Sequence, residues 1–336
     1  MTGVEVVTRP YARQLVAWAR HRNQVLCLSA DLTGSCELDD FRDAYPDRFL
    51  SLGMAEQNMI GVAAGLAREG FTPLVHTFGV FLTRRVYDQV AMSVAYPNLR
   101  VRLLGFLPGL TTPGGVTHQA IDDVALMRSL PNMTILDTGD ATEVETVLDV
   151  ADAVPGPVYC RVLRGEVPRL FSDPMRLDRV RVLSQGNDLC VVSSGICTEQ
   201  AMGALAAVRD AGVSVTHLHA ATLKPFRDPM VLDAVRACQA GVITMENHSV
   251  IGGLGAAVAE LLADAGIGRR LLRMGLQDTF AHGGSRPYLL DHYGLSARHL
   301  VRRVEELLGE PLAIDEHALA TAQVPQPSPQ TRAEAL

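Results

Sequence analysis

The sequence predicts an α/β protein built as two doubly wound domains with mainly parallel sheets. Three observations carry this. Short β-rich apolar runs bounded by turn residues alternate with amphipathic stretches of helical period, the pattern of a parallel sheet covered by helices on both faces. A stretch rich in Gly, Pro and Asp interrupts the alternation near residues 165–187, and a second alternating set follows. The chain has 336 residues, 48% of them hydrophobic, enough for two separate cores.

Taken in order, the strands of the first set are Val25–Ser29, Phe49–Leu52, Thr72–His76, Val101–Gly105, Met133–Leu136 and Val158–Val162. Helices are predicted at Arg9–His21, Ala55–Arg68, Val80–Ala95, Gln119–Ser129 and Ala141–Ala151, where apolar residues recur at three- and four-residue intervals. The first domain covers residues 1–170. GEVPRLFSDPM and LSQGND then suit a linker, placed at 171–187. A second, smaller domain at 188–310 opens with strand Leu189–Ser193 and helix Thr198–Ala211. Strands Ser214–Leu218 and Gly241–Glu246 and helices Gly252–Ala265 and Arg298–Leu308 complete it. Residues 311–336 lose periodicity and gain Pro, Gln and Ala, which predicts a disordered tail.

Composition narrows the function classes. A net charge of -7 argues against a nucleic-acid-binding surface. No run approaches the roughly 18 apolar residues that a membrane span requires, and no basic segment followed by an apolar run marks a signal peptide. Cys27, Cys36, Cys160, Cys190, Cys197 and Cys238 are scattered without a CxxC pair, which fits a reducing cytoplasm.

Three segments offer chemistry. Glu56 opens a helix after a strand, in SLGMAEQNMIGVAAG, with Gly61, Ala64 and Gly65 leaving room for close packing. A first-turn glutamate is also what a helix dipole favours with no further role. Thr77-Phe78-Gly79-Val80-Phe81 sets two aromatic rings three residues apart, on one side of a helical turn, suited to a flat heterocycle or simply to the core. GLTTPGGVTHQ (Gly109–Gln119) is a Gly/Pro-rich loop whose His118 is placed for proton transfer near neutral pH, or for a backbone bond at a helix start.

In combination, AEQN, GLA, TF, YDQ, NLRV, GLT, THQ, LMR and PNM resemble the pyrimidine-binding domain of the transketolase family. ATLKPF, MENHSVIGGLGAAVAE, RMGLQDTF and DHYGL resemble the family's C-terminal domain, so that the likeness runs from about residue 9 to residue 308. LSADLTGS (Leu28–Ser35) is more similar to transketolases than to deoxyxylulose phosphate synthases or the pyruvate dehydrogenase beta subunit. The resemblance implies thiamine diphosphate as cofactor, an electron sink for transfer of a two-carbon ketol unit from a ketose (phosphate) donor to an aldehyde. It implies that Glu56 hydrogen-bonds the aminopyrimidine ring nitrogen, as a carboxyl group kept protonated by an apolar pocket. Phe78 and Phe81 would stack on the pyrimidine, with Asp31 close to the cofactor and Arg84 beside the ring. His118 would contact the reacting substrate hydroxyls, while Arg9, Ser35 and Arg164 would hold the sugar phosphate.

The departures are informative. Where the family carries Gly-Glu-Asp-Gly before Thr-His-Gln, this chain has Thr-Pro-Gly-Gly (Thr112–Gly115), and Leu107 stands where a His is expected. The resulting wall is less polar, which implies a non-standard acceptor in specialised biosynthesis, or altered sugar stereoselectivity. The Gly-Asp-Gly signature of the Mg²⁺-diphosphate site is absent; Gly252–Gly255 is the one compact glycine cluster and is read as close helix packing. His217 and His219 are read as structural. The resemblance therefore implies a split enzyme, active with a separate diphosphate-binding subunit that holds Mg²⁺, as a heterotetramer with two copies of each chain. Three other readings stay open: a deoxyxylulose phosphate synthase-like or oxo-acid dehydrogenase-like beta subunit, a non-catalytic regulatory partner of the large subunit, and a plain doubly wound binding protein.

Overall fold

The computed structural model describes residues 4–315 and Leu319. The first half runs β1 (Val6–Thr8), α1 (Pro10–Ala19), β2 (Val25–Ser29), α2 (Asp39–Ala44), β3 (Phe49–Ser51), α3 (Glu56–Arg68), β4 (Thr72–Phe78), α4 (Gly79–Thr83) and α5 (Tyr87–Gln89). It continues through β5 (Arg102–Phe106), α6 (Asp123–Ser129), β6 (Thr134–Asp137), α7 (Ala141–Ala153), β7 (Val158–Val162) and β8 (Glu166–Pro168). The second half comprises β9 (Arg181–Ser184), β10 (Leu189–Ser193), α8 (Cys197–Asp210), β11 (Val215–His219), β12 (Thr222–Lys224) and α9 (Pro229–Ala237). After these come β13 (Gly241–Ser249), α10 (Leu254–Asp264), β14 (Leu271–Leu276), α11 (Arg286–His292) and α12 (Ala297–Leu308).

Two sheets result, one of seven strands in the order β12-β6-β7-β5-β4-β2-β3 and one of five in the order β14-β13-β10-β11-β9. Their neighbours run parallel, except β12 on β6 and β9 on β11, which are antiparallel edges. A small antiparallel ribbon pairs β1 with β8. Every residue of β4, β5, β7 and β10 is buried, as expected of strands covered on both faces. The fold class expected from the alternating pattern is the fold observed.

Three local expectations change. The segment read as a linker contributes β9 to the second sheet. Thr222–Lys224, from the second half, completes the edge of the first sheet and ties the two halves together. The single helix expected over Val80–Ala95 is instead broken after Thr83 and resumes at Tyr87, and Val90–Ala95 winds as a π-helix. The reason lies in the spacing of its buried residues. Leu82, Val86, Val90 and Val94 are all fully buried and recur every four residues. An α-helix advances about 100° per residue, so such a stripe drifts by about 40° at each step; a break and looser winding bring it back to the core. Leu312 and Ile314 pack against the core and Leu319 is buried. The remainder of the predicted tail lies outside the described residues.

A buried polar cluster locks the halves together. Arg161 on β7 donates from Nε and Nη2 to the two oxygens of Asp123, at 2.8 and 3.1 Å, and lies 3.4 Å from Asp137. Its Nη2 also reaches the carbonyls of Ala120 and, across the domain junction, Asn247. Close by, the Glu246 carboxylate accepts the backbone N–H groups of Leu254 and Gly255 at 2.6 and 2.8 Å. The glycine cluster is what admits it, since a Cβ on Gly253 would lie 1.9 Å from Glu246 Oε2. Burial pushes Glu246 up to about 7, against the pull of those two N–H groups and of Arg161.

That shift has a measurable sign. The folded chain binds the Glu246 proton more tightly than the unfolded chain, whose glutamate titrates near 4.5. Its contribution to stability is therefore largest below that value, falls as pH rises to about 7, and is level above it. Thermal melts of wild type and Glu246→Gln across this window are expected to diverge, with the wild type losing stability more steeply as pH rises. Parallel curves would show that Glu246 does not titrate there.

Candidate active site

The carboxyl ends of β2, β3, β4, β5 and β7 open onto one edge of the seven-stranded sheet, the position where ligands bind in open parallel sheets. The sequence-predicted residues collect there. Asp31 follows β2 in a left-handed conformation (φ 61°) and is exposed. Glu56 begins α3 just after β3. Ala55, at the N-cap of α3, makes no side-chain cap, so Glu56 supplies the acidic charge of the first turn. Glu56 is only 3% exposed, and Arg85 Nη1 donates to its Oε1 at 2.8 Å. An arginine thus faces a carboxylate that was expected in an apolar pocket.

Phe78 ends β4 and Phe81 lies in α4, their ring centroids 5.9 Å apart and inclined by 30°. The His118 ring meets both edge-on, at 6.2 Å from Phe78 and 5.4 Å from Phe81. Its Nδ1 shares a hydrogen bond of 2.9 Å with Thr117 Oγ1. The two adjacent arginines diverge. Arg84 turns to Asp122, 3.1 Å from its Nε, and donates from Nη2 to the Gln119 carbonyl at 2.6 Å. Arg85 lies over Phe81, its guanidinium carbon 4.1 Å from the ring centroid. Arg84 therefore buttresses the loop that carries His118, and Arg85 is the arginine beside Glu56. Both lie in the break between Thr83 and Tyr87.

The loop itself leans on the second domain. Asn247 accepts from Leu110 N and donates to the Pro108 carbonyl, at 2.9 and 3.0 Å. Gly109 (φ 57°) permits this approach, because a Cβ there would come within 2.4 Å of the Asn247 side chain. Gln119 Nε2 donates to the His282 carbonyl at 3.1 Å. Leu107 is buried, and Thr112–Gly115 brings no acidic side chain to this wall. Asn247 lies in the MENHSVIGGLGAAVAE segment without having been singled out, and the pairing of Arg161 with Asp123, which begins α6 directly behind the loop, had no local signal.

A second group sits at the ends of β2 and β7. Arg9 precedes α1 with φ 51° and donates from its backbone N to Gly165 O at 2.7 Å. Its Nη2 pairs with Asp39 at 2.9 Å. Arg164 Nη1 donates to the Ser35 carbonyl at 3.0 Å. Buried Glu37 joins these strands by accepting from Gly165 N and Ala12 N. Burial raises the Glu37 carboxyl above its ordinary range despite these bonds. Arg9, Ser35 and Arg164, far apart in sequence, are thereby brought together.

His76, two residues before Phe78 on β4, is bonded to Tyr11 at 2.7 Å and pushed down to about 3 by burial, so it is neutral and structural. His217 is likewise pushed to about 3 and bonded to Ser193. Among the described residues, no group of three or more His, Cys, Asp and Glu is placed to hold a metal ion. No helix among them is long and apolar enough to cross a membrane. What the site offers is a flat aromatic face, a carboxylate at its margin, an imidazole against its edge and two arginines at some remove. This set fits a heteroaromatic ring and an anionic substrate.

Comparison with known proteins places the arrangement. Residues 7–169 match the transketolase pyrimidine binding domain and residues 178–300 the transketolase C-terminal domain. A transketolase family protein of Sinorhizobium fredii is 40% identical over 316 residues, covering 92% of either chain. A 6-deoxy-6-sulfo-D-fructose transketolase subunit of a Clostridium species is 37% identical, covering 88% of this chain and 92% of its own. Among solved structures, a split gene transketolase described as an inactive beta4 tetramer superposes with a TM-score of 0.82 at 37% identity, covering 89% of this chain and 97% of that one. A 1-deoxy-D-xylulose-5-phosphate synthase of Geobacter sulfurreducens is 32% identical, but the chain spans 48% of its length. With both of its halves matched and relatives of its own length at this identity, the chain belongs to the transketolase family.

Proposed function

We propose that this chain is the pyrimidine-binding subunit of a split, thiamine diphosphate-dependent transketolase, a transferase that moves a two-carbon ketol unit from a ketose (phosphate) donor to an aldehyde. The observation that carries the reading is the gathering of Glu56, Phe78, Phe81 and His118 at one sheet edge, with Arg9, Ser35 and Arg164 at its neighbour. The sequence has no Gly-Asp-Gly, and relatives named as subunits share nearly its whole length. We therefore assign the diphosphate and its Mg²⁺ to a partner subunit, in a cytoplasmic heterotetramer with two copies of each chain.

Bound thiamine diphosphate supplies the electron sink for the transferred carbons. Glu56 holds a proton at the aminopyrimidine ring nitrogen, from a helix start that keeps the carboxyl group out of water. Phe78 and Phe81 present the apolar ring face, and Asp31 lies on the same edge. His118 binds the reacting hydroxyls of the substrate and exchanges a proton with them. Arg9, Ser35 and Arg164 orient the anionic end of the sugar, with Asp39 paired to Arg9 and Glu37 bonded to the Gly165 backbone beside Arg164. Arg84 holds the His118 loop through Asp122 and Gln119. With Leu107 and Thr112–Gly115 lining it, the wall favours a less polar or unusual acceptor over common pentose phosphates.

The test is to co-express the chain with a diphosphate-binding partner and supply either a ketose or pyruvate as donor. Ketose turnover that needs both subunits is the expected result. Turnover of pyruvate alone would move the assignment to a synthase- or dehydrogenase-like beta subunit, and activity of the partner without this chain would make it regulatory.

A further inference from the structure

The geometry points to Arg85 as a plug that fills the aminopyrimidine seat in the free chain and is displaced when the cofactor docks. This inference rests on the proposed function, which makes the Glu56 carboxyl group and the Phe81 ring face the two contacts that a flat heterocycle needs. In the free chain a single flat cation takes both. Arg85 Nη1 donates to Glu56 Oε1 at 2.8 Å, and the same guanidinium lies 4.1 Å from the Phe81 centroid. Among the described residues, no other side chain bonds the Glu56 carboxylate.

The arrangement is built to open. The Glu56 side chain is 3% exposed and the Arg85 side chain 47% exposed, so that the seat lies inside and the plug at its mouth. Gln57 Nε2 holds the Arg85 carbonyl at 3.1 Å, anchoring the backbone while the side chain stays free to swing. Arg85 lies in the break between α4 and α5, with its side chain on Glu56 of α3. On the half-exposed arginine side, the ion pair and the cation–π contact are each weakened by solvent, so cofactor docking can reverse them. An ion pair also needs Glu56 charged, whereas a hydrogen bond donated to the pyrimidine needs it protonated. The Arg85 ion pair and a ring contact therefore exclude each other at the same carboxyl group.

The measurement is calorimetric titration of thiamine diphosphate with Mg²⁺ into the complex of this chain and its diphosphate-binding partner, at saturating partner. Arg85→Ala removes the competitor and is expected to lower Kd by about tenfold. Arg85→Lys keeps the charge but not the flat stack and should fall between that variant and wild type; it also serves if the alanine variant misfolds. An unchanged or higher Kd in both variants overturns the plug, the latter showing that Arg85 supports the bound ring. A wild-type complex that shows no saturable binding overturns the proposed function itself, and the plug with it.

Discussion

Glu56→Gln is expected to lower ketose turnover of the reconstituted complex by roughly a thousandfold, within the range for loss of a proton-transferring group. The substitution keeps shape and removes only the ability to exchange a proton at the ring nitrogen. Stability should hardly move. The pair with Arg85 is half exposed on the arginine side, and pairs of that kind contribute about 0–1 kcal/mol. Melting temperature and turnover, measured on the same preparation, separate chemistry from folding: a large loss of rate with an unshifted melt is the predicted pattern. Full turnover in this variant would remove Glu56 from the chemistry and leave the chain a binding or regulatory subunit. A large fall in melting temperature would instead make Glu56 a structural residue whose buried carboxylate the fold requires.

Much of this arrangement was legible because its signals are local. Strands Val25–Ser29, Val158–Val162 and Leu189–Ser193 are continuous apolar runs between turns, and they appear with the bounds that the runs suggest. Glu56, Phe78, Phe81 and His118 sit in recognisable segments, and chain topology alone carries them to one edge. What was not legible depends on distance. β12 is a three-residue strand that gains its partner only when the second half folds back on β6. Arg161 looks like an isolated charge within an apolar strand until Asp123 and Asp137 close around it. The break after Thr83 follows from a four-residue stripe that reads as helical at first sight. That Arg85 rather than Arg84 faces Glu56 has no signal in either residue's neighbourhood, since the two arginines are adjacent in the chain.

The Arg161 cluster also explains why loop and junction should fail together. Arg161, Asp123 and Asp137 are each at most 1% exposed, and although burial alone would lower the guanidinium pKa, the two carboxylates hold it above its ordinary value. Arg161→Met fits the volume but removes the cation from both buried carboxylates, Asp123 keeping the Tyr159 hydroxyl, and leaves the Ala120 and Asn247 carbonyls without this donor. Breaking such a pair from one side costs about 3–5 kcal/mol, a fall in melting temperature of roughly 5 °C for a chain of this length. The loss should not stop at stability. Asp123 begins α6 only a few residues beyond His118, and Asn247 braces Pro108 and Leu110 across the junction. Turnover measured well below the melt should therefore fall as well. Adding Asp123→Asn, which removes one stranded charge, should return part of the stability without restoring the loop. A variant that melts within a degree of wild type would show that the carboxylates find protons or other donors, and that the junction is held by apolar contact instead.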